Sequence, residues 1–191
     1  MSVLIAHLNA RSPSAEIAEQ IADRLLKAGF TAVVRPIDQI ESIQLYQALV
    51  FGGAVHDQQW LPEAAGFLRR FSDELARLPV WLFSTCSDSE TSAVEPQIAT
   101  LVQRTCHERA AAIGSREHSG FRDHRHFDGA FARGGWSQLG DLFLKICGGS
   151  PNDRRDWHDV NEWAAAIARE LQAIDHVRER RRLHLSVRGK P

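Results

Sequence analysis

The chain has 191 residues, 43% of them hydrophobic and 25% charged, with a formal net charge of −1. That composition describes one ordinary globular domain with room for a layered core, and it excludes a disordered chain. No apolar run approaches the ~20 residues that span a bilayer, and no basic-then-apolar leader opens the sequence, so a cytoplasmic protein is expected.

In chain order, the apolar run Val3, Leu4, Ile5 and Ala6 predicts a strand buried on both faces of a parallel sheet. A short polar loop follows at 9–12. Ser12 is a candidate N-cap and Pro13 a first helical residue, where a missing N–H leaves no intrahelical bond unmade. Ile17, Ile21 and Leu25, with Ala18 and Ala22, then repeat at helical spacing. Gly29 stands where a helix end calls for positive φ.

Residues 31–35 are β-branched in part and stop at Pro36, which predicts a second strand. Residues 48–51 predict a third, opening into a loop at Gly52 and Gly53. A helix is expected from Leu61, Pro62 and Glu63, with Phe67, Leu68, Phe71 and Leu75 facing inward. Residues 79–83 predict a fourth strand that opens into Ser84, Thr85, Cys86 and Ser87. Glu95 and Pro96 start a further helix through Ile98, Leu101 and Val102, and 110–123 shows no clear period. The fifth strand is expected at 126–131. Leu139, Leu142, Phe143 and Ile146 suggest a short helix, and Val160, Trp163, Ala164, Ile167 and Leu171 a last amphipathic one.

Alternating strands and helices imply an open parallel sheet with helices on both faces. Ligands of such sheets lie outside the carboxyl ends of the strands, where the winding direction reverses. The loops to compare are therefore 9–14, 53–60 and 84–87. The first joins a buried strand to a helix N-terminus, where unpaired N–H groups and the helix dipole make an anion-binding corner. A dinucleotide fold needs G-x-G-x-x-G there, and this loop has no glycine. A phosphoacceptor receiver needs acidic residues after the first and third strands, where this chain has His7, Leu8, Phe51 and Gly52.

Four blocks carry a resemblance to a known family: 3–6 with 15–22, 50–56 with 60–64, 79–84, and 153–157 with 163–168. Over roughly residues 2–174 the chain resembles the flavodoxin-like family. It looks nearest the branch that includes bacterial menaquinone-dependent protoporphyrinogen oxidase. The resemblance implies five parallel strands in the order 2-1-3-4-5 and a bound FMN. It also implies which residues line the cofactor: Asn9, Ala10, Arg11, Ser12 and Ser14 at the phosphate; Ala54, Val55 and His56 beside the ring; and Ser84, Thr85, Cys86 and Ser87 in the third loop. The chain departs from the family pattern in each loop. The phosphate loop is usually S/T-x-x-G-x-T, whereas here Asn9 stands first, Ser12 replaces the glycine and only Ser14 keeps the final hydroxyl. His56 stands where relatives often have an aromatic residue, Gln59 where a glycine is common, and 84–87 replaces Ser-Ser-Gly-Pro.

Two functions follow. One is FMN-dependent electron transfer or oxidoreduction with a small-molecule or protein redox partner. The other is a flavin-free interaction module built on the same fold. His118, His124 and His126 lack a carboxylate or cysteine to complete a metal set and read as ordinary histidines of a surface loop. Cys86 is a small residue filling a turn, or a thiol near the cofactor; Cys106 and Cys147 complete an odd, scattered set that suits neither disulfides nor zinc. Phe51, Trp81 and Phe83 read as core. Residues 1–175 form the domain, and 176–191 a basic flexible tail with six basic residues against one acid. The remainder carries 17 basic and 23 acidic residues. Such a tail is either a solvated terminus or a weak contact for an anionic membrane surface, with no strong nucleic-acid signal.

Overall fold

The computed structural model describes residues 1–8, 13–56, 59–60, 62–86, 120–128 and 157–188. Strand β1 (Ser2–His7) leads to helix α1 (Pro13–Lys27), strand β2 (Thr31–Pro36) and a 3₁₀ turn (Ile37–Gln39). Strand β3 (Ala48–His56), the two-residue β4 (Gln59–Trp60), helix α2 (Pro62–Arg70) and the single turn α3 (Ser72–Leu75) come next. Strands β5 (Val80–Cys86) and β6 (Phe121–Asp128) and helix α4 (Trp157–Arg188) complete the described elements.

The sheet order is β2-β1-β3-β5-β6, all parallel, with β4 folded back antiparallel on β3. Counting only the parallel strands, this is 2-1-3-4-5, the expected doubly wound α/β arrangement. Each central strand is apolar on both sides because each side is covered. Leu4, Ala6, Leu49, Phe51, Val80 and Leu82 join Phe67, Leu68, Phe71 and Leu75 of the α2–α3 side. Val3, Ile5, Ala48, Val50, Trp81 and Phe83 meet α1 and α4 on the other, through Ile17, Ile21, Leu25, Val160, Trp163, Ile167 and Leu171. Continuous apolar runs, instead of alternating ones, follow directly from this double burial.

Two glycines act in different ways. Gly29 takes φ of 90° just past α1, the left-handed conformation that ends a helix and that a Cβ would strain. Gly52 lies in mid-strand with no positive φ, and its role is space. A Cβ there would lie 2.0 Å from Cζ of Phe83, whose ring covers it.

Several boundaries differ from expectation. Gly52 and Gly53 do not open a loop; β3 continues to His56 and turns back through β4, with Val55 opposite Trp60 and His56 opposite Gln59. Glycine in this strand marks close approach of a neighbour, not a break. Likewise β5 continues through Ser84, Thr85 and Cys86, paired to β6 as far as Cys86 opposite Asp128. The fifth parallel strand occupies Phe121–Asp128, five residues before its expected start. Its polar run, Arg122 to His126, hid it. Helix α4 continues to Arg188, so most of the segment expected to be a flexible tail is helical. The expected helices at 95–102 and 139–146 lie outside the described residues.

Candidate functional site

The crevice to consider lies at the carboxyl ends of β1 and β3. From β1 the chain crosses through α1 to β2 on one side, and from β3 it proceeds to β5 on the other, so the winding reverses between them. Helix α1 begins directly behind this point. Ser14, in its first turn, is fully buried, while Glu16 in the same turn is exposed. The helix therefore keeps a hydroxyl on the protein side and its first-turn carboxylate on the solvent side, while its first-turn N–H groups, which lack intrahelical partners, point along the axis out of its N-terminus. Pro13 is the first helical residue as expected and supplies no N–H.

His7 ends β1 and is 4% exposed, on the sheet face that α1 covers. In register it neighbours Gly52, which neighbours Phe83. His7 is not among the expected site residues; the signal available was a single imidazole closing an apolar run just before the loop. Ala54, Val55 and His56 lie at the end of the strand before the β3–β4 reversal, which brings Trp60 back beside Val55.

The third segment is more deeply engaged than expected. Ser84 and Thr85 are both buried. Ser84 Oγ lies 3.1 Å from His126 Nδ1 and 3.1 Å from His124 Nε2. These two histidines are strand residues on one face of β6, not members of a surface loop. The serine hydroxyl has one proton, so with both rings neutral it donates to one ring while the other ring's N–H donates to it. Ser84 thus ties β5 to β6. Cys86 ends β5. Asn9, Ala10, Arg11, Ser12, Ser87 and His118 lie outside the described residues, so only Ser14, 54–56 and 84–86 of the expected cofactor set are placed.

The opposite face of β6 holds α4. Trp163 donates its indole N–H to Asp123 Oδ2 at 2.7 Å, and Arg125 pairs with Asp159. The hydrogen bond that Arg125 donates to Asp159 is the main cause holding its guanidinium above its ordinary pKa, against a smaller desolvation effect. Phe127 packs edge-on to Trp163 with centroids 5.6 Å apart, and Phe83 completes the group. Phe51, Trp81 and Phe83 are fully buried core, as expected. Among the described residues no three His, Cys, Asp or Glu side chains gather to hold a metal, and no helix is long and apolar enough to cross a membrane.

A family model described as the flavodoxin domain matches residues 4–117, more than half of the chain. The chain belongs to the flavodoxin domain family. Solved flavodoxins share its fold at low identity. A cysteine-to-serine mutant of flavodoxin from Pseudomonas aeruginosa aligns at 16% identity and a TM-score of 0.55, over 90% of this chain and 99% of that one. Oxidised flavodoxin 1 from Bacillus cereus aligns at 17% identity and 0.53, over 86% and 94%. Rubredoxin oxygen:oxidoreductase from Desulfovibrio gigas aligns at 15% identity and 0.50, over 90% of this chain but only 36% of its own length. No curated protein sequence is significantly similar to the chain.

Proposed function

We propose that this flavodoxin domain binds FMN and works as an electron carrier or oxidoreductase. The observation that carries the reading is Ser14: a fully buried hydroxyl in the first turn of the helix that leaves β1, at the winding reversal. A dianionic phosphate suits this helix start, because its first turn carries a hydroxyl and backbone N–H donors and its one acid there, Glu16, is exposed. Bound FMN would supply the redox chemistry, accepting and returning electrons at its ring.

The chain's own residues have three tasks. Ser14 and the first-turn N–H groups of α1 hold the phosphate. The reversal from β3 to β4 fixes the backbone of Ala54, Val55 and His56, where the resemblance places the ring. The buried stack of Gly52 against Phe83 keeps the end of β3 rigid, so a ligand meets a preformed edge. Within this class, oxidation of a porphyrinogen with transfer to a quinone is the narrower reading, and it rests on the sequence resemblance alone. Turnover of a porphyrinogen by FMN-loaded protein, followed by porphyrin fluorescence, tests it.

Titration of purified protein with FMN, read by flavin fluorescence quenching, tests the main reading. Saturable binding of one equivalent is expected, and Ser14→Ala should weaken it by about 1–2 kcal/mol, the loss of one hydrogen bond to a charged group. Absence of FMN binding in folded protein would overturn it and leave a flavin-free interaction module. Unchanged affinity in Ser14→Ala would move the phosphate elsewhere.

A further inference from the structure

Helix α4 is longer than the domain it packs on. Its direction follows from two contacts with β6: Asp159 meets Arg125, whereas Trp163, one turn further along, meets Asp123. The helix therefore runs antiparallel to the strands, away from their carboxyl ends. It lies beside α1, with Gln20 Nε2 donating to Asn161 Oδ1 at 2.8 Å. Helix α1 ends at Lys27, seven residues past that contact; α4 continues for 27 residues past it, to Arg188. Among the helix residues whose burial is described, up to 180, the last fully buried one is Leu171; Ile174 is partly buried and Val177 is 52% exposed. From 175 to 188 the helix has about 20 Å of length to extend past the edge where the strands begin. That edge is opposite the FMN crevice.

The character of the helix changes as its packing ends. The stripe that buries Val160, Trp163, Ala164, Ile167 and Leu171 continues at 3.6 residues per turn through Ile174 and then positions 178, 181, 182, 185 and 188. Four of those five later positions are arginine: 178, 181, 182 and 188. From 176 to 191 there are six basic residues and one acid, while the remaining 175 residues have an excess of six acids. The molecule is thus electrically polarised, with a basic arm at one end of an acidic body.

We infer that this arm docks the protein on an anionic membrane surface. Phospholipid headgroups supply dense negative charge, and each basic residue near such a surface adds to adsorption. The aliphatic residues Leu183, Leu185 and Val187, interleaved with the arginines, suit an interfacial helix end. A nucleic acid suits the arm less well. Beyond Trp163 there is no Phe, Tyr or Trp for base stacking, and beyond Gln172 no Asn or Gln to read adenine. The acidic body is repelled by the same surface, so the arm lies against the membrane and the crevice faces away from it.

Docking of this kind is independent of flavin binding, and its test reads partitioning alone. Full-length protein is sedimented with vesicles of neutral phosphatidylcholine, or with about a third of the lipid replaced by phosphatidylglycerol, in about 0.1 M and about 1 M salt. Binding to the anionic vesicles at the lower salt, and not otherwise, is the expected result. Each Arg→Gln change at 178, 181 and 182 should weaken partitioning about fivefold, and the triple variant about a hundredfold. Circular dichroism checks that the triple variant keeps its helix. Equal binding to neutral vesicles would overturn the inference, as would undiminished binding of the triple variant. So would capture of a duplex oligonucleotide by protein that ignores anionic vesicles.

Discussion

Replacing Gly52 with alanine should destabilise the domain by about 2–3 kcal/mol, and the reason is purely steric. The added Cβ would lie 2.0 Å from Phe83 Cζ and 2.4 and 2.5 Å from Cε2 and Cε1. Ordinary van der Waals contact starts near 3.4 Å, so the ring must move by more than thermal adjustment allows. It has nowhere to go. Phe83 is fully buried, its centroid 6.0 Å from Phe127 and 6.2 Å from Trp163, and Trp163 is held in turn by Asp123. Overpacking of this kind costs about 1–3 kcal/mol, and disturbing aromatic pairs adds about 0.5–1.5 kcal/mol. Against this stands about 0.5–1 kcal/mol gained because alanine loses less backbone entropy in an extended strand. Urea denaturation reads the difference. At a slope of about 2 kcal/mol/M, the midpoint should fall by about 1–1.5 M with the slope unchanged. Phe83→Leu should relieve the clash, so the double variant should be more stable than the sum of the two changes requires. A Gly52→Ala protein within about 0.5 kcal/mol of the parent, or strict additivity with Phe83→Leu, would refute the reasoning.

Gly29→Ala should cost about 1 kcal/mol, lowering Tm by about 2–4 °C. Nothing lies within 4 Å of a Cβ there, so the penalty comes from φ alone and Gly29→Asn should recover part of it. Trp163→Phe keeps a ring in the core but removes the donor to Asp123, and chemical denaturation should show a loss of about 1–2 kcal/mol. Arg125→Gln should cost less than about 1 kcal/mol, since the pair with Asp159 is partly exposed. Because the folded pKa of Arg125 is raised, its contribution is complete below the ordinary arginine range and is lost only as pH rises through the folded value. The Arg125→Gln penalty should therefore be equal at about pH 6 and pH 9; a penalty that fades across that interval would show that another group governs it.

What could be read from the residues depended on how strongly each segment's neighbours dictated its composition. The strands buried on both faces had to be apolar runs, so β1, β3 and β5 announced themselves. The start of α1 at Pro13 and its stop before Gly29 followed from the chemistry of helix ends. The far ends of β3 and β5 were less legible, because Gly52 reads as a breaker until the ring above it is known, and Ser84 as a loop hydroxyl until His124 and His126 stand beside it. Strand β6 was hidden by its position at the sheet edge. Its two faces meet a charged helix side and a serine, so Asp123, Arg125, His124 and His126 replaced the β-branched residues that mark a strand. Ser14 was legible only through the resemblance, and His7 was overlooked because burial of a single histidine leaves no periodic trace.

The core between the sheet and its outer helices is assembled from distant parts of the chain. Val3, Ile5, Val50, Trp81 and Phe83 are covered on one side by α1 and on the same side by Val160, Trp163, Ile167 and Leu171 of α4. A ribosome that has delivered β1 through β6 has thus made a sheet one of whose faces is still partly bare. Until Leu171 emerges, the nascent chain carries Trp81 and Phe83 without their lid, a surface that chaperones bind and that favours aggregation. Stalling or truncation anywhere before α4 should therefore yield protein that is captured or degraded rather than a smaller working domain.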